Sequence, residues 1–136
     1  MLSHSLEVTS CTPNTLSCGG SGGCKGSVTQ LGFNYLQLFG SVSSEDWPYE
    51  SYDGSTRECT YDLTSMTPVV GLTGYNTLPP NDEMAVMEHI ARVGPLSIAV
   101  SMDNWQHYDG GVFDGTNFDE NIAIGHGVQL VGYGTE

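Results

Sequence analysis

Glycine interrupts this sequence so regularly that its apolar runs stay short. "LSIAV" follows Gly94 and Pro95, "GGVFDG" is bracketed at both ends, and "GVQLVGYG" carries a glycine every few residues. A glycine in a helix interior costs about 1 kcal/mol relative to alanine. Runs of this kind therefore predict short strands set between turns. Eighteen glycines in 136 residues predict many tight turns and little long helix.

Two stretches escape this punctuation. "SVTQLGFNYLQLF" places Leu31, Tyr35, Leu38 and Phe39 at roughly helical spacing, with Ser27 or Thr29 able to cap its start and Gly40 to stop it. "PPNDEMAVMEHIARVGP" is the clearer helix. Asn81 can cap it, Asp82 and Glu83 suit the positive end of the helix dipole, Arg92 suits the last turn, and Gly94 and Pro95 end it. Met87, Ile90 and Val93 form its expected inner face. "SSEDWPYESYDGSTRECTYD" reads as a polar loop with aromatic anchors. "TPVVGLTGYNTL" has the β-branched and aromatic residues of a strand interrupted by glycines. The expected architecture is α+β: an early helix and loops, then a sheet-rich half with one packed helix.

The length limits this to a single domain burying roughly two thirds of its unfolded surface. Three Lys and Arg against sixteen Asp and Glu give a net charge of −13, which argues against nucleic acid as a partner. No apolar run approaches the ~20 residues of a membrane-spanning helix. "MLSHSLEVTSC" has neither the basic nor the apolar region of a signal peptide.

"GGSGGCKGS" invites comparison with a phosphate-binding loop, but Cys24 stands where the glycine before the lysine belongs, and no strand precedes it. Zinc is poorly served, because no second cysteine pair faces Cys18 and Cys24; neither a metal nor a cofactor is expected. Cys11, Cys18, Cys24 and Cys59 lie in loop-like stretches and read as secretory-pathway disulfide cysteines, with three pairings open to them. A Cys11–Cys59 bridge would close a loop of about fifty residues and stabilise by ~4 kcal/mol on the chain-entropy account.

His126 stands between Gly125 and Gly127 at the start of the last apolar run, uncrowded on either side. Its surroundings complete a series: "EVTSC", "GGCKG", "EDWPY", "LPPNDEMAVM", "VGPLSIAV", "GVFDG" and "GHGVQLVGYG" occur in one order along the whole chain. In that order and content the sequence resembles the papain-like cysteine peptidases, the cathepsin family. The resemblance implies a two-lobed cleft enzyme, one lobe mainly helical and one a β-sheet lobe. Here the chain would form an incomplete version, with residues 1–66 mainly helical lobe and loops and residues 67–136 mainly β-lobe with one helix.

The resemblance assigns His126 to the catalytic histidine, which keeps the nucleophile as thiolate and later protonates the leaving amine. Imidazole suits both tasks because its ordinary pKa is about 6.5. Gly26 and Ser27 match the loop that binds substrate backbone through main-chain groups. Val28, Thr29, Ala99 and Gly127 match positions around the pocket for the residue two before the scissile bond. Trp47, Pro48, Tyr49, Trp105 and Tyr108 match structural anchors; His4, His89 and His107 match no motif. A lysosomal, vacuolar or secreted location follows from the same resemblance.

The resemblance also implies what to look for elsewhere. The family nucleophile lies about 130–150 residues before the histidine, so it is expected before Met1. The orienting asparagine, in an Asn-Ser-Trp-Gly segment, is expected beyond Glu136, and the oxyanion-hole glutamine just before the nucleophile. Gly125 stands where the family usually has Asn or Asp, and Thr116 where a bridging cysteine is common. Cys24 matches a cysteine whose partner lies near the nucleophile, leaving it unpaired unless Cys18 takes it. Two readings follow. In the first, this is part of a papain-like endopeptidase acting on peptides and proteins, inactive as these residues alone. In the second, it is a peptidase-derived structural or binding subunit, with a protein partner covering an open half-fold.

Overall fold

The computed structural model describes residues 4–12, 20–62, 64–102, 105, 108–113 and 123–135. It divides into two compact units, Met1–Asn76 and Thr77–Glu136.

The first unit is built on two helices. α1 spans His4–Cys11, an element not expected from the sequence; its "HSLEVTSC" is rich in β-branched and small residues with weak helix propensity. Tertiary contacts hold it instead. Leu6 and Glu7 are fully buried, and Leu6 joins Val42 and Trp47 in a hydrophobic cluster. A carboxylate in such a place must be hydrogen-bonded. Glu7 accepts from Tyr35 Oη at 2.9 Å, Ser41 Oγ at 2.8 Å and the Val42 amide at 3.1 Å. Gly32 allows the second helix to approach Val8, whose Cγ1 would lie 3.2 Å from any Cβ there.

That second helix, α2, spans Thr29–Phe39 and buries Tyr35. Neither expected side-chain cap forms. Val28 occupies the cap position in extended conformation, and Thr29, already inside the helix, turns its hydroxyl to Gln30. Gly40 ends the helix at φ 71°, its amide bonded to Leu36 O. Only glycine fits there, because a Cβ would stand 2.7 Å from Val70 O.

The strand expected over "TPVVGLTGYNTL" does not form. Val70 makes a single antiparallel bridge with Ser41, and Leu72 N reaches Leu36 O at 3.4 Å. A strand requires a continuous partner, and helix α2 occupies the neighbouring chain up to Gly40.

Cys11 and Cys59 are joined across 48 residues. Breaking this bridge by Cys11→Ser with Cys59→Ser is expected to lower stability by about 4 kcal/mol, measured as a shift in denaturant midpoint. Cys24 is a free, exposed thiol, so the Cys18–Cys24 bridge considered above is not made; Cys18 lies outside the described residues.

Burial, with the Glu7 hydrogen bond and charge adding to it, holds the Tyr35 phenol above its ordinary ionisation range. In the unfolded chain a tyrosine ionises near pH 10. The unfolded state therefore loses this proton first, so the contribution is intact below about pH 10 and declines as pH rises beyond it. Urea midpoints at pH 8 and pH 10.5 are expected to show a lower value at the higher pH.

The second unit contains α3 over Glu83–Arg92 and an antiparallel pair, β1 over Leu96–Val100 and β2 over His126–Leu130. The cap is Asp82, one residue after the expected Asn81; its carboxylate accepts from Ala85 N at 3.0 Å. Asn81 takes φ 59° in the turn before it. Met87 and Ile90 are half-buried as an inner face requires. Val93 is not: it follows the last helical turn and is 74% exposed. The expected "GGVFDG" strand is absent over 110–113, and its remainder lies outside the described residues. Trp105 and Tyr108 both pack edge-on to Phe113, at 6.2 and 6.4 Å, yet remain exposed. Among the described residues every fully buried apolar side chain belongs to the first unit. No helix among them is long and apolar enough to cross a membrane.

Candidate active site

The candidate residues fall into two groups, one in each unit. In the first unit a glycine-rich turn leads into α2. A one-turn 3₁₀ helix, Gly23–Lys25, is closed by Gly22 N to Gly26 O at 2.8 Å and Gly26 N to Gly23 O at 3.3 Å. Thr56 braces it from 32 residues away, its Oγ1 accepting from Cys24 N at 2.9 Å. Thr56 also packs so closely on Gly23, which has φ 57°, that a Cβ there would fall 2.1 Å from Oγ1. Thr56 is thus a positioning residue that sequence reading missed. Nothing local marks it, because its role exists only once the chain has folded back on itself.

Within this turn both main-chain polar groups of Gly26 are engaged by the loop itself. Ser27 follows, exposed and outside that ring of bonds, then half-buried Val28 and exposed Thr29. Of the two residues expected to bind a substrate backbone, Ser27 is the one whose main chain the loop leaves accessible.

In the second unit, β1 and β2 bring Ala99, His126 and Gly127 together. Ala99 pairs with Gly127, and Val100 pairs with His126. Gly125 N donates to Val100 O at 3.2 Å, extending the pairing one residue beyond the histidine. His126 is therefore anchored by main chain on both sides while its own residue is exposed. Paired residues of an antiparallel ribbon share a face, and successive residues alternate. Ala99 and Gly127 thus lie on one face. His126 lies on the other, at the end of the half-buried row formed by Leu96, Ile98, Val100, Val128 and Leu130. A side chain at position 125 would meet nothing within 4 Å, so the glycine there is not demanded by packing. Thr116 and His107 lie outside the described residues.

An open groove of about 570 Å³ lies along α3, lined by Met84, Ala85, Met87 and Tyr133 with Asp82, Glu88 and Arg92. It contains none of the candidate residues, and its walls carry no nucleophile or histidine.

The model of the papain family cysteine protease matches residues 2–136. This chain belongs to the papain family of cysteine proteases. It is 36% identical to cathepsin K of Mus musculus over 117 residues, covering 84% of this chain and 34% of that protein. To procathepsin L of Mus musculus it is 37% identical over 120 residues, covering 86% and 34%. The chain spans about a third of the length of these curated relatives.

Among solved structures it is similar to a digestive procathepsin L2 proteinase from the larval midgut of Tenebrio molitor. That match has a TM-score of 0.79 and 30% identity, covering 96% of this chain and 38% of that one. A Carica candamarcensis cysteine protease in complex with E-64 matches with a TM-score of 0.74 and 28% identity, covering 95% and 55%. The α+β architecture is thus part of the papain-like fold, in which helical and sheet portions both contribute.

Proposed function

We propose that this chain supplies the histidine and part of the substrate-binding wall of a papain-type cysteine endopeptidase. The reading is carried by His126, exposed at the first position of β2, with the small Ala99–Gly127 pair one residue along the ribbon. Membership of the papain family supports it.

In this reading a cysteine from a part of the protein outside these residues attacks the scissile carbonyl as a thiolate. The C–N bond breaks as His126 passes its proton to the leaving amine, giving an acyl-thioester. His126 then takes a proton from water, whose oxygen displaces the thiolate and releases the acid. In the first unit Ser27 binds substrate main chain, with Val28 and Thr29 following it; in the second, Ala99 and Gly127 give the ribbon a small-residue face beside His126. Residues 1–136 alone hold a base without its nucleophile and are expected to be inert. The Cys11–Cys59 bridge supports an oxidising route, and hence a lysosomal, vacuolar or secreted location.

The test is to treat the native protein with a thiol-directed epoxide, follow cleavage of fluorogenic peptides, and map the modified residue. Cleavage that stops as one cysteine outside residues 1–136 is labelled is the expected result. Absence of both cleavage and labelling would overturn the proposal in favour of a non-catalytic, partner-bound subunit.

A further inference from the structure

The protein has three basic side chains, Lys25, Arg57 and Arg92, against sixteen acids. Two of the three are neutralised: Arg57 meets Asp53 at 3.2 Å and Arg92 meets Glu88 at 3.1 Å. Lys25 is exposed and makes no ion pair among the described residues. From residue 8 to residue 44 the sequence contains no Asp, Glu, Arg or His, so Lys25 is the one charged residue in that span. Thr56 brings the 53–58 segment, with its acids Asp53 and Glu58, against the same turn; Asp53 is committed to Arg57, and neither acid forms an ion pair with Lys25.

Lys25 also has a fixed backbone. It closes the 3₁₀ turn, donating its amide to Gly22 O at 3.1 Å, and Thr56 pins the preceding residue. Its ammonium is therefore displayed two residues from Ser27, the residue whose main chain the loop leaves accessible. The remaining acids give the protein as a whole a strongly negative field, but between exposed charges that field fades beyond about 8 Å at physiological salt. Contact with Lys25 is the favourable interaction left to an acidic side chain approaching this turn.

We infer that Lys25 is a specificity residue, selecting substrates with Asp or Glu beside the main chain held at Ser27. The inference rests on the peptidase reading above and names its substrate class. An exposed ion pair of this kind favours the acidic peptide about threefold, expressed mainly in KM because it is formed before the transition state.

The experiment compares kcat/KM of the native protein for paired peptides differing only by Asp or Asn, and Glu or Gln, at each position on the amino side of the scissile bond in turn, and takes the position with the largest acidic preference. The ratio within each pair is the readout. A ratio near three that falls to one in Lys25→Gln, inverts in Lys25→Glu and shrinks as salt is raised is the expected result. A ratio of one in the unaltered protein, or a ratio that Lys25→Gln leaves unchanged, overturns the assignment while the peptidase reading stands. Failure to cleave any member of either pair overturns that reading, and this inference with it.

Discussion

Replacing Glu7 with alanine is expected to lower the stability of the protein by about 5 kcal/mol. The carboxylate is fully buried and accepts three hydrogen bonds, from the Tyr35 hydroxyl, the Ser41 hydroxyl and the Val42 amide. Alanine would leave all three donors buried and facing a void, and each unsatisfied donor costs roughly 1–3 kcal/mol. The loss of packing volume adds to this. Glu7→Gln keeps one oxygen acceptor but turns an NH₂ group towards another donor, so an intermediate loss is expected. Because Glu7 ties α1 to α2 and to the 41–42 segment, the loss should appear as one cooperative shift in the unfolding curve. A change below about 1 kcal/mol in denaturant unfolding of Glu7→Ala would mean that the three donors find other partners, and α1 would need another anchor.

The second large effect concerns His126. On the proposed peptidase reading, His126→Ala is expected to lower kcat of the native protein by roughly 10³-fold or more with little change in KM, because there the imidazole serves proton transfer rather than substrate binding. Its residue is exposed at the start of β2, so stability should move by no more than about 0.5 kcal/mol. The combination is diagnostic: a structural histidine would alter folding and leave kcat in proportion to folded protein. A variant keeping more than a tenth of the activity would place the base elsewhere.

Some of this architecture was legible in the chain. The end of α2 at Gly40 and the existence of α3 follow from local signals, since periodic apolar residues, a short acidic first turn and a glycine stop act within a few residues. β1 and β2 were legible as short apolar runs near glycines, but their pairing was not. The cap of α3 is not legible to the residue, because Asn81 and Asp82 are both competent caps and only the turn geometry selects Asp82. Helix α1 is not legible because its residues favour no helix; a buried carboxylate and a disulfide at its end hold it. Residues 67–78 have strand-forming residues but find a partner only at Ser41.

The candidate site divides along the same line. His126 and its flanking glycines stand out in the sequence, as does the glycine-rich turn before α2. The Ala99–Gly127 pairing, the bracing of Gly23 and Cys24 by Thr56, and the exposure of Ser27 beyond the closed loop do not. By itself the sequence determined the family, the end of α2 at Gly40 and the existence of α3, since these depend on side-chain type and near neighbours. Only the tertiary structure decided which strands pair, which carboxylate is buried and which main chain stays accessible. Those outcomes depend on contacts between residues some thirty positions apart, and local propensity is silent on such contacts.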